Sequence, residues 1–82
     1  MKKIRVILDT KTQLDTFVRL CEQQEYQVFL TDGTHEYRVS AKSTVGCIMA
    51  KMEWNEIYCE YDAEQYGEGL EHALHQNGLT DY

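Results

Sequence analysis

The run Val39-Ser40-Ala41-Lys42-Ser43-Thr44-Val45-Gly46-Cys47-Ile48-Met49 decides how this chain is read, because the spacing of its apolar residues changes within it. Up to Val39 they alternate. Beyond Ser43, the residues Val45, Ile48, Met49 and Met52 recur three and four apart, the period of a helix. The Ser43 hydroxyl is well placed as the N-cap of that helix, a piece of two or three turns weakened by Gly46. A strand passes into a short helix here, and the other elements are read outward from this junction.

Toward the N-terminus, Tyr37 and His35 continue the alternation to Asp32-Gly33, residues that tolerate positive φ in a tight turn, and Leu30, Val28 and Tyr26 form the other arm of a hairpin. Further back, Leu14, Phe17, Val18 and Cys21 mark an amphipathic helix, with Thr12 and Asp15 in the positions of a capping box. Ile4, Val6 and Leu8 mark a first strand. Toward the C-terminus, Ile57, Cys59 and Tyr61 alternate with Glu56, Tyr58 and Glu60. Asp62 then caps a last helix, with Gln65 at the box position, a buried stripe of Tyr66, Leu70, Ala73 and Leu74, and an end at Asn77-Gly78.

The order is βαββαβα. Every helical stripe needs the same apolar sheet face, which gives a two-layer α+β domain: a four-stranded antiparallel sheet, helices on one face, solvent on the other. Two strand orders satisfy short, right-handed connections, the ferredoxin-like one and one with the first strand at the edge beside the fourth. Periodicity leaves both open.

The 82 residues fit a single domain with a thin core. Eight basic against fourteen acidic residues give a net charge of −6, which repels nucleic acid and anionic membrane surfaces. Cys21, Cys47 and Cys59 are odd in number and far apart, so they offer neither a disulfide framework nor a zinc site, and a reducing cytoplasm suits them. Met1-Lys2-Lys3-Ile4 imitates the start of a signal peptide, but Arg5 and Asp9 interrupt the apolar run, and no segment approaches a membrane span.

The opening run resembles HPr, the histidine-containing phosphocarrier family of the bacterial sugar phosphotransferase system, in which a strand enters a short helix through an A/L-K-S-x-x-G-x-x pattern. Leu70 to Leu79 is similar to that family's last helix, and Phe17-Val18 to a pair in its first. The resemblance implies the HPr-like open-faced β-sandwich. It also implies a serine, here Ser43, that an ATP-dependent kinase phosphorylates to create a ligand for a catabolite-control regulator. The family's second helix presents an apolar patch to protein partners, which falls here on Thr44, Val45, Ile48 and Met52.

One departure is decisive. Where the family carries its phosphoacceptor histidine and a steadying arginine, in a G-x-H-x-R-P-type loop, this chain reads Asp9-Thr10-Lys11-Thr12-Gln13-Leu14. Phosphoryl relay needs an imidazole beside donors for the phosphate oxygens, and this stretch offers none. The chain therefore reads as a non-enzymatic member without the acceptor, similar to the serine-only regulatory paralogues, with no cofactor and with protein partners: a serine kinase, phosphotransferase components or a catabolite regulator.

Each candidate has a plainer reading. Ser43 serves equally as a simple N-cap contributing about 1 kcal/mol, and Val45, Met49 and Met52 equally close the core. His72 and His75, with Glu68 and Glu71, read as a solvated helix face and not as a metal site. Cys47, near the positive end of a helix, has the only chance of thiol reactivity, with no general base beside it. Ile7, Phe29 and Tyr58 look out from the open sheet face and suggest a homodimer. The alternatives are a drifted structural or dimeric binding module, and an atypical carrier using His35, His72 or His75.

Overall fold

A computed structural model describes residues 1–34 and 37–82. Among these, β1 (Lys2–Arg5), α1 (Lys11–Glu22), β2 (Phe29–Thr31), β3 (Arg38–Ser40), α2 (Thr44–Glu53), β4 (Tyr58–Tyr61), α3 (Ala63–Tyr66) and α4 (Gly69–Gln76) follow in order. The strands form one antiparallel sheet, β1-β4-β2-β3. The first strand thus lies at the edge beside the fourth, and the ferredoxin-like alternative falls away. The molecule is an α+β open-faced sandwich of the HPr-like kind.

Register explains which face is covered. Ile4, Cys59, Leu30 and Val39 stand opposite one another across the four strands, and this row faces the helices. Phe17, Val18 and Cys21 of α1, Cys47 and Ala50 of α2, and Leu70 and Leu74 of α4 close over it in one core. The alternating next row, Lys3, Glu60, Phe29 and Ser40, lies on the open face. Among the described residues no helix is long and apolar enough to cross a membrane.

The local chemistry differs from the sequence reading in several places. The capping box of α1 is Thr10 with Gln13, not Thr12 with Asp15: Thr10 Oγ1 accepts from the Gln13 amide at 3.1 Å, and Gln13 Oε1 accepts from the Asp9 and Thr10 amides at 2.8 and 2.9 Å. An amide side chain can accept both donors at once, and the helix begins where that is satisfied. In the hairpin Phe29, Leu30 and Thr31 pair with Ser40, Val39 and Arg38, and Gly33 takes φ 94°. His35 lies outside the described residues.

The expected last helix is two. Asp62 caps only α3, accepting from the Gln65 amide at 3.1 Å, and Gly67 then turns the chain at φ 83°, ψ −172°, a conformation open essentially to glycine alone. The break swings Tyr66 out of the expected stripe. It is 46% exposed, and its ring stacks on Tyr26 at 4.2 Å, while Leu70 and Leu74 are buried as expected. The segment after α4 also returns to the sheet: Val6 bridges Thr80, the Ile7 amide donates to the Leu79 carbonyl, and Asp81 meets Arg5 at 3.5 Å.

Candidate functional site

The β3–α2 junction builds the site. The Ser43 amide donates to the Ser40 carbonyl and the Lys42 amide to Ser40 Oγ, each at 3.2 Å, which turns the chain sharply out of β3. Ser43 keeps an extended backbone, φ −99°, and its Oγ accepts from the Gly46 amide at 3.0 Å as the N-cap of α2. Gly46 packs closely on this junction: a Cβ there would lie 3.3 Å from Ser43 Oγ and 3.4 Å from Val39 Cβ, so a larger residue requires these side chains to give by a few tenths of an ångström. Ser43 is exposed at the amino end of a ten-residue helix.

The rotation of α2 is the informative feature. Its small residues Cys47 and Ala50 are buried against α1 and the sheet, and its large apolar residues face solvent: Val45 is 68% exposed, Ile48 43%, Met49 52% and Met52 80%. The helix therefore does not close the core with Val45, Met49 and Met52. Small inward side chains let it lie close to the sheet, and the apolar side chains left over form a continuous outer stripe. Thr44, Ile48 and Met52 join Leu14 and the stems of Lys11 and Lys51 in a groove between α2 and the start of α1.

Two lysines, Lys11 and Lys51, line this groove. Lys51 Nζ donates to the Asp9 carbonyl at 2.8 Å, tying the end of α2 to the β1–α1 loop, and Lys11 pairs with Asp15 at 2.6 Å. Lys42 donates to the Gln24 carbonyl at 2.7 Å. Sequence reasoning found Ser43 and the stripe but missed Lys51 and the Thr10–Gln13 box. The T-x-x-Q spacing was a legible signal for the box. In the loop before α1 the Asp9, Thr10 and Gln13 amides are engaged by side chains, which withdraws three donors from any anion.

The remaining candidates are dispersed. Cys47 is fully buried, its thiol 3.5 Å from the Ala41 carbonyl, and burial pushes its pKa up to about 12. The Cys59 thiol, also buried, is held well above the usual range by its hydrogen bond with Cys21 and by burial. Glu68 and Glu71 turn to Lys2 instead of the histidines, at 3.4 and 2.6 Å, and His75 stacks on Tyr82 while its Nδ1 lies 3.1 Å from Thr80 Oγ1. Among the described residues no group of His, Cys, Asp and Glu is arranged to hold a metal ion.

Ile7, Phe29 and Tyr58 are each half-buried. Phe29 lies beneath the Arg38 guanidinium, 4.1 Å from its ring centre, the Tyr58 hydroxyl donates to Glu56 at 2.9 Å, and Ile7 sits beyond the end of β1. Comparisons with family models, with curated proteins and with solved structures find no match to this chain.

Proposed function

We propose that this chain is a cytoplasmic, non-enzymatic regulatory protein of the HPr type, working in the phosphotransferase system or in carbon catabolite control. Its α2 face serves as a protein-docking surface, and Ser43 is its phosphorylation site. The observation that carries this reading is the outward rotation of α2, which leaves four large apolar side chains in water beside an exposed helix-capping serine. A phosphate on Ser43 would meet the amino end of that helix, where free amides and the helix dipole favour negative charge. In this reading the Thr10–Gln13 box replaces phosphoryl chemistry at the loop with helix capping.

The test is intact mass after incubation with an ATP-dependent HPr serine kinase and, separately, with the phosphoenolpyruvate-dependent phosphotransferase enzyme. One acid-stable phosphoryl group from the kinase, lost in Ser43→Ala, is the expected result. An acid-labile group from the second donor would overturn it in favour of a carrier. No added mass from either donor would reduce Ser43 to a cap.

A further inference from the structure

Asn77-Gly78, where α4 ends, is a dipeptide in which a side-chain amide can react with the main chain that follows it. The Gly78 nitrogen attacks Asn77 Cγ. A new C–N bond forms, the Cγ–Nδ2 bond breaks, and ammonia leaves with the proton that the Gly78 nitrogen gives up. Water then opens the five-membered imide, leaving an aspartate at 77 or an isoaspartyl linkage whose main chain is one carbon longer. Glycine favours the attack because no Cβ shields its nitrogen. The chain has two asparagines, and the other, Asn55, precedes Glu56, whose side chain hinders the same step.

The folded end of α4 holds the reacting atoms apart. Asn77 is the C-cap, with φ −95° and ψ 10°, so the Gly78 nitrogen nearly eclipses the Asn77 nitrogen, whereas ring closure requires it to eclipse Cβ. The Ala73 carbonyl accepts from Asn77 Nδ2 at 2.7 Å and from the Asn77 amide at 3.1 Å, and the His75 carbonyl accepts from the Gly78 amide at 3.1 Å. Both residues are exposed, and a Cβ on Gly78 would meet nothing within 4 Å. Water therefore reaches the site, and these hydrogen bonds are what restrain it. Helix ends held in this way open locally far more often than the core.

We propose that Asn77 is a deamidation site gated by the end of α4, and that its product loosens the segment that follows. An aspartate at 77 has no donor for the Ala73 carbonyl, and it sets a carboxylate against that oxygen at the negative end of the helix dipole. An isoaspartyl linkage instead lengthens the chain just before the Gly78 turn, whose φ is 69°. Leu79 depends on that turn. It is 1% exposed, its amide donates to the Leu74 carbonyl at 2.9 Å, and its carbonyl accepts from the Ile7 amide at 2.7 Å. The bridge from Val6 to Thr80 and the Arg5–Asp81 pair follow directly. Because the carboxylate does not revert to the amide, chains with a loosened segment accumulate with age.

Peptide mapping of the full chain, aged at neutral pH either folded or unfolded in urea, tests the gate. Asn77 is expected to convert in both, at least about tenfold more slowly in the folded chain, and Asn55 to stay intact. Equal rates in the two conditions overturn the gate, and an Asn77 that survives in urea overturns the site. Amide hydrogen exchange of Asn77→Asp tests the consequence without any ageing. The Ile7 and Leu79 amides are expected to exchange at least about tenfold faster than in the parent chain, with those in the middle of α1 unchanged. Unchanged exchange at Ile7 and Leu79 overturns the release, as does an equal acceleration throughout α1.

Discussion

Arg38 and Glu60 form an ion pair on the face of the sheet that no helix covers, with 3.3 Å between guanidinium and carboxylate, and Glu60 is only 3% exposed. Arg38 reaches it by lying flat over Phe29, so a cation, an aromatic ring and a carboxylate roof a patch of open sheet. Arg38→Ala uncovers Phe29 and removes a counter-charge from a buried carboxylate. Because Arg38 is itself part-exposed, the expected loss is about 1–2 kcal/mol, below the range for a fully buried pair. Urea unfolding of Arg38→Ala and Arg38→Lys measures it, with Lys intermediate because it keeps the charge and loses the planar stacking.

The Thr10–Gln13 box makes a second prediction. Thr10→Ala and Gln13→Ala each lower stability by about 1 kcal/mol. In Gln13→Ala the Asp9 and Thr10 amides lose their acceptor. Their hydrogen exchange should accelerate more than that of amides in the middle of α1.

Cys47 titrates in a direction that can be worked through. Its folded pKa is raised from 9.0 to about 12 by burial, so below pH 9 the thiol is protonated in both states and contributes no pH dependence. Between 9 and 12 the unfolded chain ionises first, and stability falls as pH rises through this window. Native Cys47 should resist iodoacetamide at pH 8–9 and react on unfolding. Rapid native alkylation, located by peptide mapping, would contradict this.

Glu71 behaves oppositely. The Lys2 ammonium first, and the Tyr82 hydroxyl second, hold its carboxyl below 4.5, so its contribution is present above that pH and is lost as pH falls through the lowered folded value. Lys2→Ala should move the Glu71 titration, followed by side-chain carboxyl NMR, back up toward 4.5, and Tyr82→Phe should do so less.

Gly67 supplies a fifth prediction. A Cβ there would touch nothing within 4 Å, yet φ 83° with ψ −172° is strained for any L side chain. Gly67→Ala should cost about 1–3 kcal/mol without altering any packing contact, read as a lower thermal midpoint.

The elements that bury one face of a simple period were legible. Ile4, Val6 and Leu8 are buried, as are Leu14, Phe17, Val18 and Cys21, and Ile57, Cys59 and Tyr61. Ser43 was legible as a cap because a hydroxyl before a helical period has few other roles. The rotation of α2 was not, because that helix is apolar on both sides and only its packing against α1 and the sheet selects Cys47 and Ala50 as the inner pair. Nor was the burial of Glu60: alternation places it outward correctly, but Arg38 and Phe29 cover it from neighbouring strands. The break at Gly67 was signalled by two glycines in Gly67-Glu68-Gly69, which a reading of the apolar stripe alone passes over.

The pairing of Lys2 with Tyr61 has a kinetic consequence. The first strand finds its ladder partner, β4, more than fifty residues later, so its closure bears the largest loop entropy in the sheet, while β2 and β3 meet across a few residues. During synthesis Ile4, Val6 and Leu8 leave the ribosome with no strand to join until residues 58–61 follow. The edge pair is therefore expected to assemble late, with folding slower than in a helical bundle of this size and a transition state polarised toward β2, β3 and α2.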